Sequence, residues 1–291
     1  MSSKYAQKLA DKLLPEEQRE AFLAALDLGR SSRPTLLWLR ERESPFESLA
    51  PAPWQPDFIQ AVEPSAHAGR HSLHDEGAYY CLDLSSVFEA SALCALGVPS
   101  GGTVIDVCAA PGGKALFAWR ALAPSCLVVN EVIGKRLGVL QGNLRRCGVA
   151  AQTRNADPAV LATELARQGD VVLVDAPCSG QSLLARGQDN PGAFHPVTVG
   201  GCAGRQKRIL AESRELVSTE GYLVYSTCTY SREENEAVVS WFLARFPEFE
   251  AVAVPTHAAH LSGVVSFPCY RLWPQEGWGA GGFLSVLRRN E

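Results

Sequence analysis

From residue 77 onward, short apolar runs alternate with longer stretches whose apolar positions recur at helical spacing. The short runs predict strands over residues 103–107, 127–130, 152–155, 171–174 and 222–225. The longer stretches predict helices over residues 83–96, 113–122, 134–147, 205–217 and 233–246. Strands alternating with helices of this length mean a parallel sheet with crossover helices. Residues 282–287 read as a closing strand. The expected fold class is α/β.

The N-terminal part has a different pattern. Roughly the first 30 residues read as helical. Pro15 suits a first helical position, and Glu16 and Glu17 suit the positive end of the helix dipole. Phe22, Leu23 and Leu26 share a face, and Gly29 is a stop signal. An apolar strand is expected over residues 35–39. Residues 44–64 carry Pro45, Pro51, Pro53, Pro56 and Pro64 and read as connection. The division expected is a small N-terminal domain over residues 1–75 and a main domain over residues 76–291.

Composition narrows the class. No apolar run approaches the ~18 residues a membrane helix needs. The start, Met1 to Tyr5, lacks the apolar core of a secretory signal. The nine cysteines are odd in number and include no Cys-x-x-Cys pair, which argues against a disulfide framework or a zinc ribbon. A reducing cytoplasm is the expected location. The net charge of −4 excludes a uniformly basic coat but not a local basic groove.

Three strand ends carry the candidate chemistry. Strand 103–107 runs into Cys108, Ala109, Ala110, Pro111, Gly112, Gly113 and Lys114, a glycine turn opening a helix. It is neither a P-loop nor a dinucleotide fingerprint. The next strand ends at Glu131, placed to accept from a ribose diol, and Asp157 follows the third strand. These features fit an adenosine-bearing cofactor without a pyrophosphate, for which S-adenosylmethionine is the natural candidate. Asp175, Ala176, Pro177 and Cys178 follow one strand; Ser226, Thr227, Cys228 and Thr229 follow another. Pro177 forces an extended entry that projects Cys178. Cys228 precedes a helix start, where the dipole lowers a thiol pKa. Two thiols and a cofactor on one rim point to covalent catalysis on a ring with a group donated by the cofactor. Ser231 and Glu234 match a capping box for the last helix. His67, His71 and His74 lack matching ligands, so no metal is expected. Arg145, Arg146, Arg205, Lys207 and Arg208 form basic clusters on solvated helix faces or phosphate contacts.

These motifs in this order resemble the Sun-type (Nol–Nop–Sun) RNA cytosine-5 methyltransferases. The resemblance rests on Asp106 to Lys114, on Asp175 to Gly180, and on Tyr225 to Thr229 with Glu234, Asn235 and Glu236. Weaker echoes are Gly77 to Tyr80 leading to Ser85 and Ser86, Gln206, and Arg271 to Pro274. The resemblance implies a Rossmann-like S-adenosylmethionine-dependent methyltransferase sheet behind a small α+β, RNA-facing domain. It implies that Cys228 attacks the cytosine, that Cys178 assists release, and that Asp175 bonds the base. Residues 108–114, Glu131, Asp157 and Asp175 would hold the cofactor. Lys114 would pair with the cofactor or an RNA phosphate. Lys114, Arg136, Arg205, Lys207 and Arg271 are the candidate RNA contacts.

The expected partner is RNA, ribosomal ahead of transfer, and the expected state is a monomer without metal or membrane. The longer members of the family carry an appended RNA-binding domain, and this chain is expected to end after the catalytic sheet. The pattern departs from the family at Cys81 and Leu82, where a glutamine is usual, at Ala115 and at Gly281. A DNA enzyme would not need the thiol of Ser226–Thr229, and an amino-methylating enzyme would show Pro-Pro and an aromatic after the acid. A non-catalytic RNA-binding assembly factor is the rival of a different class.

Overall fold

The computed structural model describes residues 4–98 and 100–290. Met1, Ser2 and Ser3, part of the start that lacks a leader pattern, lie outside the described residues. Helices α1 (Lys4–Leu13) and α2 (Glu16–Leu28) open the chain. Pro15 stands one position earlier than expected, at the cap, because its fixed φ leads into the helix from outside. Gly29 takes a left-handed φ of 58° and returns its N–H to the Ala25 carbonyl at 3.2 Å. The helices bury Ala6, Ala10, Phe22 and Leu26 against Phe194, Tyr230 and Ala280. They therefore pack on the larger domain.

A three-stranded antiparallel sheet follows, with β1 (Pro34–Trp38) between β2 (Ile59–Ala61) and β3 (Tyr79–Asp83). β2 lies inside the proline-rich connection. β3 lies beyond the expected division at residues 75/76 and still belongs to this first sheet, pairing Trp38 with Tyr79 and Pro34 with Asp83. Its side chains come from both classes, so it shows little alternation. A short helix, α3 (Ser72–Asp75), precedes it.

The chain then enters helix α4 (Leu84–Ser91), capped by Asp83, whose carboxylate accepts from the Ser85 N–H at 3.0 Å. The strands and helices that follow are β4 (Thr103–Asp106), α5 (Gly113–Leu122), β5 (Cys126–Asn130), α6 (Gly134–Arg146), β6 (Gln152–Arg154) and α7 (Pro158–Glu164). Then come β7 (Gly169–Asp175), α8 (Ser182–Ala185), α9 (Pro196–Ser213), β8 (Val217–Thr227), α10 (Glu236–Arg245), β9 (Phe249–Ala251), β10 (Tyr270–Leu272) and β11 (Gly282–Arg289). The sheet runs β10-β11-β8-β7-β4-β5-β6, with β9 also paired to β11. β4 to β8 are parallel and β11 is antiparallel to β8. This is the Rossmann-like α/β sheet. The order reverses at β4, so the crevice lies beyond the ends of β4 and its neighbours.

Strand pleating sorts the core. Val104, Val129, Val171 and Leu173 pack into one cluster, and their neighbours Ile105, Val128, Val172 and Val174 into the other. Both faces of the sheet are thus covered, which is why the middles of these strands are apolar on both sides. Each such side chain contributes about 1.5–3 kcal/mol on burial.

Two helix starts differ from expectation. α9 begins at Pro196, nine residues before the expected position, because the His195 ring accepts from the Val197 N–H and Pro196 takes the first position. Gly200, Gly201 and Gly204 lower the helical signal there, and each faces open space. α10 begins at Glu236 rather than 233, and its cap residue Asn235 makes no side-chain cap. Ser231 and Glu234 form no capping box. Among the described residues no helix is long and apolar enough to cross a membrane.

Candidate active site

The carboxyl ends of β4, β7 and β8 and the strand β3 enclose a cavity of about 270 Å³. Asp106, Cys108 to Pro111, Gly113, Lys114, Asp175 and Cys228 line it from the large sheet. Tyr80, Cys81, Leu82 and Asp83 line it from the first sheet. The glycine turn is cradled closely: a Cβ at Gly113 would stand 2.5 Å from Leu82, and Gly112 has a φ of 117°. Ala109 donates its N–H to the Asn130 carbonyl at 2.8 Å, which holds the turn on β5.

The two thiols meet. Cys178 Sγ and Cys228 Sγ are 3.2 Å apart, and both are free thiols. The contact pulls Cys228 below the ordinary thiol range, with Arg186 and Lys114 adding to it against burial and Asp175. The same contact pushes Cys178 well above that range, with burial and Glu234 adding to it. Arg186 and Lys114 act on Cys228 and only Glu234 is added at Cys178, so of the two sulfurs Cys228 is the one drawn toward the thiolate.

A buried polar frame holds this pair. Glu234, fully buried, accepts from the Ser179 N–H at 2.8 Å, the Ser179 hydroxyl at 2.5 Å and Gln206 Nε2 at 3.0 Å. Gln206 also donates to the Pro177 carbonyl at 3.1 Å. Gln181 accepts from the Tyr230 N–H at 2.9 Å and donates to Ser231 Oγ at 2.5 Å. Asn235 accepts from Thr227 Oγ1 at 2.6 Å and donates to the Thr229 carbonyl at 2.9 Å. The turn after β7 and the turn after β8 are therefore one rigid unit. Glu234 replaces the expected cap with this role, since its carboxylate reaches Ser179 on another turn rather than its own helix start.

Lys114 sits between two carboxylates, with its Nζ 2.6 Å from Glu89 and 2.7 Å from Asp175. Asp175 also accepts from Ser226 Oγ at 3.1 Å. The ammonium is thus committed to the cavity floor, and the expectation of an RNA phosphate on Lys114 does not match its place. Asp106 is buried and pushed up to about 7, first by burial and then by Asp175. Its Oδ1 accepts from the Cys108 N–H at 3.3 Å, and its Oδ2 has no partner.

The other expected residues divide. Glu131, buried at the end of β5, accepts from the Ile133 N–H at 2.9 Å and pairs with Arg136 at 3.2 Å. Arg136 also donates to the Ala110 carbonyl at 2.7 Å, joining Glu131 to the glycine turn. Asp157 caps α7 through the Ala159 N–H at 3.1 Å and pairs with Arg208 at 3.5 Å. Arg205 is exposed on α9, and Lys207 lies 5.7 Å from the Trp241 ring centre. Arg271, expected to touch RNA, is instead buried. It pairs with Glu236 through two 2.5 Å contacts and donates to the Tyr230 carbonyl at 2.7 Å. Two neighbouring charges inside a core satisfy each other, so neither reaches the surface. His71 accepts from the Leu73 N–H at 3.2 Å, and among the described residues no His, Cys, Asp and Glu group is placed to hold a metal.

Reading the residues did not single out Glu89 or Arg186. Glu89 had a signal: it is the one acid in an otherwise apolar and small-residue run over residues 84–96. Arg186, which lines the cavity and lies 3.8 Å from Asp83, had none.

Residues 93–288 match the profile of a family described as 16S rRNA methyltransferase RsmB/F. Ribosomal RNA small subunit methyltransferase F of Pectobacterium atrosepticum is 33% identical over 212 residues, which cover 70% of this chain and 44% of the relative. The protein of that name from Vibrio parahaemolyticus is 35% identical over 205 residues, covering 69% of this chain and 43% of the relative. The matched stretch thus spans less than half of these relatives. A methyltransferase homologue protein from Pyrococcus horikoshii shares the fold with a TM-score of 0.77 at 21% identity, over 99% of this chain and 100% of that one. NSun6 from the same organism, solved with SFG, also has a TM-score of 0.77, at 16% identity, over 99% and 98%.

Proposed function

The chain belongs to the 16S rRNA methyltransferase RsmB/F family, and we propose that it methylates carbon 5 of a cytosine in ribosomal RNA of the small subunit, using S-adenosylmethionine in the cytoplasm. The observation that carries this reading is the 3.2 Å pair of thiols with Cys228 on the cavity that the glycine turn lines. Carbon 5 of cytosine is a weak nucleophile. Addition of the Cys228 thiolate to carbon 6 breaks the aromatic ring and makes carbon 5 enamine-like. Asp175, beside the cavity, hydrogen-bonds the base edge where charge develops at nitrogen 3. Cys178 assists loss of the carbon 5 proton, after which the bond from sulfur to carbon 6 breaks. The cytosine has to leave its stack, so the target is single-stranded, looped or flipped out.

The residues present fit the cofactor. The glycine turn opens a helix beside the cavity, and the unpartnered Asp106 Oδ2 offers an acceptor in the cavity wall. Glu131 stands one βα unit further on, where a ribose diol is bound in sheets of this kind. S-adenosylmethionine, bound there, supplies the electrophilic methyl group. Arg205, exposed on α9, remains in the proposed RNA face; Arg271 does not belong to it.

Labelled S-adenosylmethionine and bulk RNA test the proposal. Cys228→Ala is expected to abolish transfer while cofactor affinity stays. Cys178→Ala is expected to accumulate a covalent protein–RNA species on denaturing gels. Full turnover by Cys228→Ala would overturn the assignment. Bisulfite sequencing of total RNA with and without the gene identifies the cytosine.

A further inference from the structure

One cation, Lys114, serves two acids of unequal depth. Its Nζ lies 2.6 Å from Glu89 Oε2 and 2.7 Å from Asp175 Oδ2. The Glu89 side chain is 3% exposed and that of Asp175 is 37% exposed. One ammonium neutralises one carboxylate. A second buried negative charge would be left unpaired, which is costly enough that the group keeps its proton instead. The deeper acid is the one that does so: burial pushes Glu89 up to about 8, Lys114 opposing and Asp175 and Cys228 adding to the shift. β11 makes room for this carboxyl by bringing Gly282 against it, where a Cβ would overlap Glu89 Oε1.

The charged groups around Glu89 come from three elements. They are Lys114 from α5, Asp175 from β7 and Cys228 from the turn after β8. Asp83, Asp106 and Arg186 line the same cavity. β11 contributes backbone at Gly282. His257 bonds the Phe88 carbonyl at 2.8 Å and Ser91 at 3.3 Å on the same helix.

We propose that Glu89 stores the proton that cytosine nitrogen 3 takes up when Cys228 adds to the ring, delivering it through Lys114 and Asp175. The inference rests on the reaction proposed above and deepens it. As sulfur bonds carbon 6, the pair of the carbon 5–carbon 6 double bond moves to carbons 4 and 5. The pair of the carbon 4–nitrogen 3 double bond moves onto nitrogen 3, which takes a proton that the Asp175 carboxylate has first received from Lys114. Lys114, left as the free amine, takes the proton of Glu89, and Asp175 ends as the carboxylate it was at the start. The net change is one proton from Glu89 to nitrogen 3, and the negative charge passes from the Cys228 sulfur to Glu89. Once carbon 5 has taken the methyl group, its proton passes to water, the carbon 5–carbon 6 double bond reforms as the sulfur leaves as a thiolate, and the nitrogen 3 proton returns to Glu89 by the same path. Glu89 acts through Lys114 rather than on the ring, as a positioning residue that also carries a proton.

Two measurements on the whole chain test this, with Glu89→Gln as the variant. Glutamine keeps an acceptor for Lys114 and the side-chain size but has no acid proton. In infrared spectra of the cofactor-free protein, the wild type is expected to show a protonated-carboxyl band that fades as pH rises through about 8 and that the variant lacks. In methyl transfer, the variant is expected to lose about 100-fold in kcat, as for removal of a general acid, with KM for cofactor and RNA unchanged. It is also expected to lose the alkaline limb of the wild-type rate profile. Identical spectra, or a variant that keeps wild-type kcat and the alkaline limb, would overturn the role of Glu89 and leave methyl transfer standing. A wild type that shows the band and methylates no RNA would overturn the reaction itself, and this role with it.

Discussion

The turns after β7 and β8 and the strand ends after β5 and β6 share one sheet edge, yet they are held in different ways. The first pair is a closed frame in which Glu234, Gln206, Gln181 and Asn235 are buried and hydrogen-bonded to backbone, to hydroxyls and, for Gln206, to Glu234, although Gln206 Oε1 has no partner. The second is an open rim. Glu131 is buried, but its partner Arg136 is 47% exposed, and Asp157 and Arg208 are 45% and 61% exposed. The contrast follows from what each region has to do. In the proposed reaction two sulfurs with separate roles at one base have to be held to within a fraction of an ångström, which takes buried hydrogen bonds. A rim that admits and releases a cofactor needs only a few correctly placed acceptors.

The most severe way to break this contrast is to remove Glu234. Glu234→Ala leaves the Ser179 N–H and Gln206 without their acceptor in a dry site, and about 3 kcal/mol of stability is expected to be lost. Urea melts read the loss. Retained stability would mean that the frame does not depend on its buried carboxylate. On the open rim the effects are expected to be smaller and to fall on ligand binding. Glu131→Ala is expected to weaken S-adenosylmethionine about 10-fold, or about 1.4 kcal/mol, with the melting curve shifted less than for Glu234→Ala; calorimetric titration reads the affinity. The smallest effect is assigned to Asp157. Asp157→Ala removes a helix cap and is expected to cost about 1 kcal/mol with cofactor affinity close to that of the unaltered chain. If Asp157→Ala weakened the cofactor as much as Glu131→Ala, the rim would reach one strand further along the sheet edge than its geometry indicates.

Legibility in the sequence follows the same division. The parallel strands were readable because both faces of each are covered, so Leu127 to Val129 and Val171 to Val174 are apolar without interruption, and Asp106 alone breaks Val104 to Val107. The Gly113–Leu122 helix has the bounds that its periodicity implies. β2, with three residues, and β3, with mixed side chains, were not readable, since neither is long enough or regular enough to show a period. The start of α9 was masked by Gly200, Gly201 and Gly204. Glu234 followed Ser231 at capping-box spacing, and local spacing alone favoured the wrong partner. Its true partners, Ser179 and Gln206, are 55 and 28 positions away. Arg271 gave a similar result, because nothing near it in the chain announces Glu236 at 35 positions distance.

The chain by itself determined the alternation of strand and helix, the glycine turn, and the presence of two cysteines just beyond strand ends, because these depend on residues adjacent in sequence and on side-chain chemistry. Tertiary structure alone decided which polar groups are buried, that Lys114 bridges Glu89 and Asp175, and that the sulfurs of Cys178 and Cys228 stand 3.2 Å apart. Those outcomes depend on desolvation and on charges a few ångströms apart in space, and both are set by elements that meet only when the sheet has formed.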